Sequence, residues 1–189
     1  MKFTKISPDA FQSIQLNAGV LLSSFEPESG DLEASNIIGA TSGGVNFTAT
    51  PTMTDFGEDI DNVPANTKEL KRVTDYAVAM SGTFITLTEA QVKLLIGAAD
   101  VDGTKITPRH ELKSEDFTDL WWVGDYSDKN SEESGGFIAI HMKNILSTGG
   151  FSIQSGKNAK GTSAFTFTGH YSIENIDEVP FEVFVKVGA

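Results

Sequence analysis

The chain has 189 residues, a net charge of −12, 39% hydrophobic residues and no cysteine. This length and composition predict one domain with its own core, and they exclude disulfides, thiolate metal sites and cysteine nucleophiles. Because only 14 Lys and Arg stand against 26 Asp and Glu, nucleic acid is not expected as a partner that binds through phosphate neutralisation. No leader-like N-terminus and no long apolar run are present, so we expect synthesis in the cytoplasm and no membrane partner.

The first half of the chain predicts strands. Residues 16–25 form the first candidate, and a turn at residues 26–30 ends it. Val45, Phe47 and Ala49 then alternate with polar residues, and the alternation returns from Tyr76 to residue 87. The intervening stretch is too long for a tight hairpin, so we predict a long loop over residues 52–71. Loops of this length in compact domains are usually functional.

The predicted loop separates its charges. Acids come first and bases follow, with one glutamate interrupting, and four apolar side chains are distributed through the loop: Phe56, Ile60, Val63 and Leu70. A loop that only meets water seldom needs several apolar side chains, so we predict that it docks on another molecule; a solvated mobile loop is the alternative. The predicted docking residues are Asp55, Phe56, Glu58, Asp59, Asp61, Val63, Lys68, Lys71 and Arg72.

One helix is predicted over residues 89–99. Thr88 and Gln91 have the spacing of a capping box, and apolar residues recur on one face as far as Ala99. Short alternating runs follow at 120–124, 137–143, 164–168 and 181–187. The fold class is therefore mainly β: an antiparallel β-sandwich or barrel with one flanking α-helix and a long inter-strand loop.

Several predicted strands are apolar on both faces. Phe184 lies opposite Val183 and Val185, which one buried face does not explain, so we expect a neighbouring subunit to cover part of the sheet. Trp121 and Trp122 are adjacent and face opposite sides, which predicts one in the core and one at an interface. Residues 111–133 hold eight acids against two lysines, and a solvated acidic face is the plain interpretation.

No pattern in the sequence indicates catalysis. The histidines, His110, His141 and His170, lack metal-ligand spacing, and the acids after Asp55 lack the glycine and final glutamate of a calcium loop. Phosphate-binding glycine loops and nucleophile elbows are also absent from the sequence. We therefore expect a protein that is not an enzyme, with no catalytic residues, metal or cofactor.

Six stretches, taken in order, resemble the major tail tube protein of long-tailed, non-contractile bacteriophages of Gram-positive hosts. They cover nearly the whole chain: SPDAFQSIQLNAGVLLSSFEP, GATSGGVNFTATPTMTDFGEDIDNVPANTKELKR, LTEAQVKLLIGAAD, ITPRHELKSEDFTDLWWVGDYSD, GGFIAIHMKNILSTGGFSIQSGKNAKGTSAFTFTGHYS and EVPFEVFVKVG. The resemblance implies hexameric rings that stack into a hollow tube in the virion tail. It also implies tape-measure, baseplate and tail terminator proteins as partners, and DNA that passes through without specific binding.

In this family the long loop between early strands reaches an adjacent ring, and the resemblance implies that residues 52–71 form that loop here. An acidic lumen wall would repel DNA, and we place Asp116, Asp119 and Asp125 at the lumen or its rim as a hypothesis. Two alternatives stay open. One is a monomeric β-sandwich module that binds carbohydrate or protein, and the other is the tube subunit of a contractile or secretion machine.

Overall fold

The structure is a computed structural model that describes residues 7, 10, 14–126 and 135–187. The predicted class is confirmed: antiparallel strands dominate, with a single α-helix, α1 (Glu89–Ile96), among the described residues. The strands are β1 (Gln15–Leu22), β2 (Ile37–Gly39), β3 (Thr41–Asp55), β4 (Lys71–Phe84), β5 (Ala99–Asp102), β6 (Lys105–Pro108), β7 (Thr118–Tyr126), β8 (Phe137–Ser147), β9 (Ser163–Gly169) and β10 (Phe181–Lys186). Part of the acidic segment, residues 127–134, lies outside the described residues.

The main sheet has the order β2-β1-β7-β8-β9-β4-β3, and β5 and β6 form a separate small hairpin. Two strands divide the edge of β8 that faces away from β7. β10 pairs with Phe137–Met142, and β9 pairs with Ile145–Ser147. Asn144, between these two ranges, has φ +49°. The sheet therefore divides into two layers at this point, one ending in β10 and the other continuing through β9 and β4 to β3.

The main core fills the space between these layers. Phe84 and Phe165 lie with ring centroids 4.5 Å apart, and Phe165 stacks on Phe167 at 5.1 Å. Phe181 of β10 contacts Phe47 of β3, with centroids 5.6 Å apart, which joins the layers at their open side. The buried members of this core are Leu21, Val78, Met80, Phe84, Leu95, Leu120, Ile140, Met142, Ile145, Phe165 and Phe167.

A second cluster covers the other face of β7 and β8. Trp121 lies in it, whereas Trp122 packs against the main core and donates its indole N–H to the Ala18 carbonyl at 3.0 Å. The opposite facing of the tryptophans is confirmed, but both are packed within the chain. Phe184 also contacts Trp121, with centroids 5.5 Å apart, so its face of β10 needs no neighbouring subunit for cover. Val183 and Val185, on the opposite face, are exposed.

Helix α1 begins where the sequence predicts and ends early. The capping box is present: Thr88 Oγ1 accepts from the Gln91 N–H at 3.3 Å, and Gln91 Oε1 accepts from the Thr88 N–H at 2.7 Å. Gly97, at φ +80°, ends the helix, and Ala99 starts β5 instead of a further helical turn. No helix in the described part of the chain is long and apolar enough to cross a membrane.

Replacing Phe167 with alanine should lower the free energy of unfolding by roughly 3–5 kcal/mol, because the side chain is fully buried and the neighbouring rings close the cavity only in part. Urea denaturation followed by tryptophan fluorescence measures this. Phe151→Ala, at a side chain 40% exposed, is the control and should cost less than about 1 kcal/mol. Equal losses in both variants would contradict the core assignment.

Candidate functional site

The strongest candidate for a functional site is the outer half of the β3–β4 hairpin. β9 pairs with Ala79–Phe84 only, so the rest of β4 has β3 as its one strand partner among the described residues. The outermost hydrogen bond between β4 and the rest of the domain is made by the backbone N–H of Tyr76, which donates to the Tyr171 hydroxyl at 2.8 Å. We call residues 52–75 the arm and its connecting segment, residues 56–70, the tip.

The predicted loop at 52–71 is shorter in the structure. Thr52–Asp55 belong to β3 and Lys71 to β4, because strand pairing continues past a bulge between Thr52 and Met53 as far as the Asp55–Lys71 pair. Turns order the tip itself. The Phe56 N–H donates to the Leu70 carbonyl at 3.1 Å, and the Thr67 hydroxyl donates to the Pro64 carbonyl at 2.7 Å.

Asp55 organises the tip from inside. Its carboxylate accepts the Gly57 N–H at 2.9 Å and the Asn66 N–H at 2.7 Å. These two backbone donors, helped by the charge of Lys71, hold the pKa of Asp55 below its ordinary value despite an opposing effect of desolvation. Lys71 donates to the Asn66 side-chain carbonyl at 2.9 Å. Both residues were predicted to dock on another molecule, yet each has a partner within the tip.

The arm exposes several apolar side chains, and its end is acidic. Phe56 is 61% exposed and Met53 54%, and Ile60 and Val73 are also exposed. Val63, predicted as a docking residue, is half-buried. A two-stranded ribbon is marginally stable by itself, and Met53 and Val73 lie opposite each other across it as an exposed apolar pair, a feature typical of contacts with other molecules.

The charges of the tip are only partly paired. Lys68 forms an ion pair with Glu69 at 3.5 Å, and both side chains are exposed. The three remaining acids of the tip are exposed and form no ion pair with a described residue: Glu58, Asp59 and Asp61. Arg72 stands opposite Thr54 at the start of β4. The charge that the tip presents is therefore acidic.

The longer strands with an open edge include β3 and β10. Within the described residues β3 pairs only with β4 along its 15 residues, and β10 pairs only with β8. Their outer N–H and C=O groups are free of strand partners, and β10 carries the exposed Val183 and Val185. Open edges of this kind are templates for pairing with another chain.

The three acids predicted for a lumen do not share one environment. Asp116 is buried and accepts from Arg109 Nη2 at 2.7 Å, so the prediction is wrong for this residue: a buried, paired carboxylate cannot line a surface. Asp119 and Asp125 lie on β7, on the face that carries Trp121. Asp119 is exposed and contacts His141 Nε2 at 3.0 Å, and Asp125 is half-buried.

Sequence reasoning missed the ion pairs that fasten β10 to β8. His141 stacks on Trp121, with centroids 4.0 Å apart, and lies between Asp119 and Glu182. Lys143 bonds to Glu182 at 2.7 Å and also to Glu178. The bond from Lys143 is the main cause that lowers the pKa of Glu182. Alternation placed these side chains on one face, but only the strand register reveals that they meet.

For Asp116, as for Glu182, hydrogen bonds and a neighbouring cation outweigh the effect of desolvation on the pKa, although Asp116 is buried. Burial raises the pKa of its carboxyl group, but the Lys113 N–H and the Arg109 guanidinium outweigh that effect, and the pKa lies below its ordinary value. Arg109 also pairs with Asp100 of β5, so this group ties the β5–β6 hairpin to the segment before β7. Its function is structural.

Comparisons with protein-family models, with curated proteins and with solved structures returned no match to this chain. In the described ranges, no three His, Asp or Glu side chains are grouped as metal ligands would be.

The stability of the fold should fall in acid. Asp116 and Glu182 have folded pKa values below their unfolded ones, so their contribution is present above about pH 4 and is lost as the pH falls through the folded values. Asp116→Asn should therefore flatten the pH dependence between about pH 5 and about pH 2 in urea denaturation. Asp102→Asn, at an exposed acid of β5, is the control. An unchanged pH profile in Asp116→Asn would contradict the role of this pair.

Proposed function

We propose that this chain is a structural subunit that assembles into hexameric rings, and that the rings stack into the hollow tail tube of a bacteriophage. Its location would be the virion tail, where the tube conducts the genome. The resemblance of the sequence over nearly its whole length supports this proposal. The observation that carries it is the arm: a braced hairpin whose outer half has an apolar surface and no partner within the described chain.

The exposed apolar residues of the arm favour the proposal that rings stack. Within its own chain, Phe56, Ile60 and Met53 are removed from water only in part, because about half of the surface of each stays exposed. Burying them on a second copy removes this apolar area from water. The bonds of Asp55 keep the tip in one shape before contact, which reduces the entropy lost on docking.

The open edges support ring formation. A ring repeats one contact between two different surfaces of each subunit, and the edges of β3 and β10 are two such surfaces. Cyclic symmetry closes that contact, whereas contacts along the tube axis are head-to-tail and extend without limit. The number six comes from the family resemblance.

The charge of the chain supports a conduit that does not hold DNA. A net charge of −12 repels phosphates at distances up to roughly the Debye length, about 8 Å at physiological salt. In the proposal Asp119 and Asp125 line the lumen or its rim, and Asp116 no longer does. The tape-measure, baseplate and tail terminator proteins remain the proposed partners of the tube.

The proposal is tested by negative-stain electron microscopy and light scattering of the purified protein over a range of concentration and salt. Rings or hollow tubes are expected. A protein that stays monomeric at every concentration, also when purified tail baseplates are added, would overturn the proposal. Binding of a glycan by that monomer would then favour the β-sandwich binding module.

Changing Phe56 and Ile60 together to serine should raise the critical concentration for tube formation by roughly tenfold or more and leave rings or monomers. The reason is that both side chains are exposed apolar anchors of the tip. Sedimentation of tubes against protein concentration measures the effect. Val101→Ser, at an exposed valine of β5, is the matched control. Tubes of ordinary length from the double variant would rule out the tip as a stacking contact.

A further inference from the structure

The connection between β8 and β9, residues 148–162, has a charge opposite to that of the rest of the chain. It contains Lys157 and Lys160 and no Asp or Glu, whereas the whole chain has a net charge of −12. Neither lysine forms an ion pair with any described residue. We call this segment the basic loop.

The basic loop is also apolar and ordered. Ile153 is 58% exposed and Phe151 40%, and they precede the two lysines. Gln154 and Thr162 form a two-way backbone bridge, with N···O distances of 2.8 and 2.9 Å, which closes the segment between them. The loop thus carries two exposed apolar side chains just before the bridge and two unpaired cations within the segment that the bridge closes.

The tip has the matching composition. It holds four acids against one lysine, a net charge of −3, and it exposes Phe56 and Ile60. The tip therefore offers apolar anchors beside unpaired carboxylates, and the basic loop offers apolar anchors beside unpaired ammonium groups. Opposite charges around an apolar centre are the pattern of complementary interfaces.

The two surfaces lie at opposite ends of β4. The basic loop leads into Ser163, the first residue of β9, which pairs with Phe84 at the last residue of β4, and the tip joins β4 at Lys71. The 14 residues of β4, at about 3.3 Å per residue, separate them by roughly 43 Å. One copy cannot bring its own tip to its own basic loop.

We propose that the tip of one copy docks on the basic loop of a second copy, so that identical subunits join head-to-tail along the direction of β4. This inference rests on the proposed stacking of rings and names the two surfaces that meet. The occupant is a second copy because the complementary surface exists in the chain itself at the opposite end of the same strand. Repetition of the contact gives an open, extending array.

A rival receptor is the cavity of about 450 Å³ between α1 and β2. Its lining is mostly apolar, but it contains Asp119 and no Lys or Arg. An acidic tip placed there would meet a like charge, whereas the basic loop offers two opposite ones. We therefore assign the tip to the basic loop, and the experiment below includes the cavity as a competing position.

The absence of cysteine makes a direct test possible, because engineered cysteines meet no background thiol. A disulfide requires Cα atoms within about 7 Å, so Asp59→Cys combined with Ala159→Cys cannot close within one copy. Oxidation of assembled protein should give a ladder of covalent oligomers on a denaturing gel, and each single variant should give none. Asp59→Cys with Ala90→Cys, which places the second thiol beside the cavity, should also give none. A ladder from the Ala90 pair, or none from the Ala159 pair in assembled protein, overturns the inference.

Charge reversal tests the same contact without a covalent link. Lys157→Glu with Lys160→Glu should raise the critical concentration for tubes roughly tenfold or more and leave rings intact. Adding Glu58→Lys, Asp59→Lys and Asp61→Lys to that variant should restore tubes, because the attraction returns with its signs exchanged. Lys105→Glu, at an exposed lysine of β6, is the control and should change the critical concentration by less than about twofold.

The outcomes separate the inference from the proposed function. If wild-type protein forms rings and tubes while the Lys157/Lys160 variant stacks as well as Lys105→Glu does, the receptor is elsewhere and the tube function stands. If wild-type protein forms neither rings nor tubes, the proposed function fails and the inference fails with it. Loss of tubes in the Lys157/Lys160 variant, their return on reversal of the tip charges, and a covalent ladder from the Ala159 pair would together support the inference and the proposed function.

Discussion

The whole fold depends on the division of one edge of β8 between β9 and β10. Pairing with β10 ends at Met142 and pairing with β9 starts at Ile145, and Asn144 makes the break with a left-handed backbone and a bond from its N–H to Asp119 at 3.1 Å. Because the two strands diverge there, the sheet folds into two layers that enclose the phenylalanine core. The same division sends Phe181 across to Phe47 and Tyr76, which closes the open side.

This closure also decides how the β3–β4 hairpin is used. The inner half is bound to β9 and to the core, and the bracing ends at Tyr76, where Phe181 and Tyr171 make the last contacts. The outer half has only its own pairing and the turns of the tip. In the proposed assembly, the stability of the subunit and the contact with another copy would depend on different ends of the same two strands, so the arm could change without loss of the core.

Electrostatics would select the orientation of such contacts. Copies with a net charge of −12 repel one another in most relative positions. In the contact that we propose, the acidic tip approaches the basic loop, and unlike charges would face each other near apolar side chains. Repulsion between the acidic surfaces of two copies would disfavour incorrect pairing of the open strand edges. Salt screens this repulsion, so the discrimination would weaken as the salt concentration rises.

Elements whose causes are local could be predicted from the sequence alone. Thr88 and Gln91 cap α1 three residues apart, alternation marks the strands, and the acids and apolar residues of the tip are adjacent in the chain. The tertiary structure was needed to show that the hairpin pairs as far as Asp55 and Lys71, that Asp116 is buried against Arg109, and that Trp122 packs against the main core. It also decided that the tip and the basic loop lie at opposite ends of β4. Each of these depends on the register between strands distant in sequence, and the alternation within one strand gives the face of a side chain but not its partner.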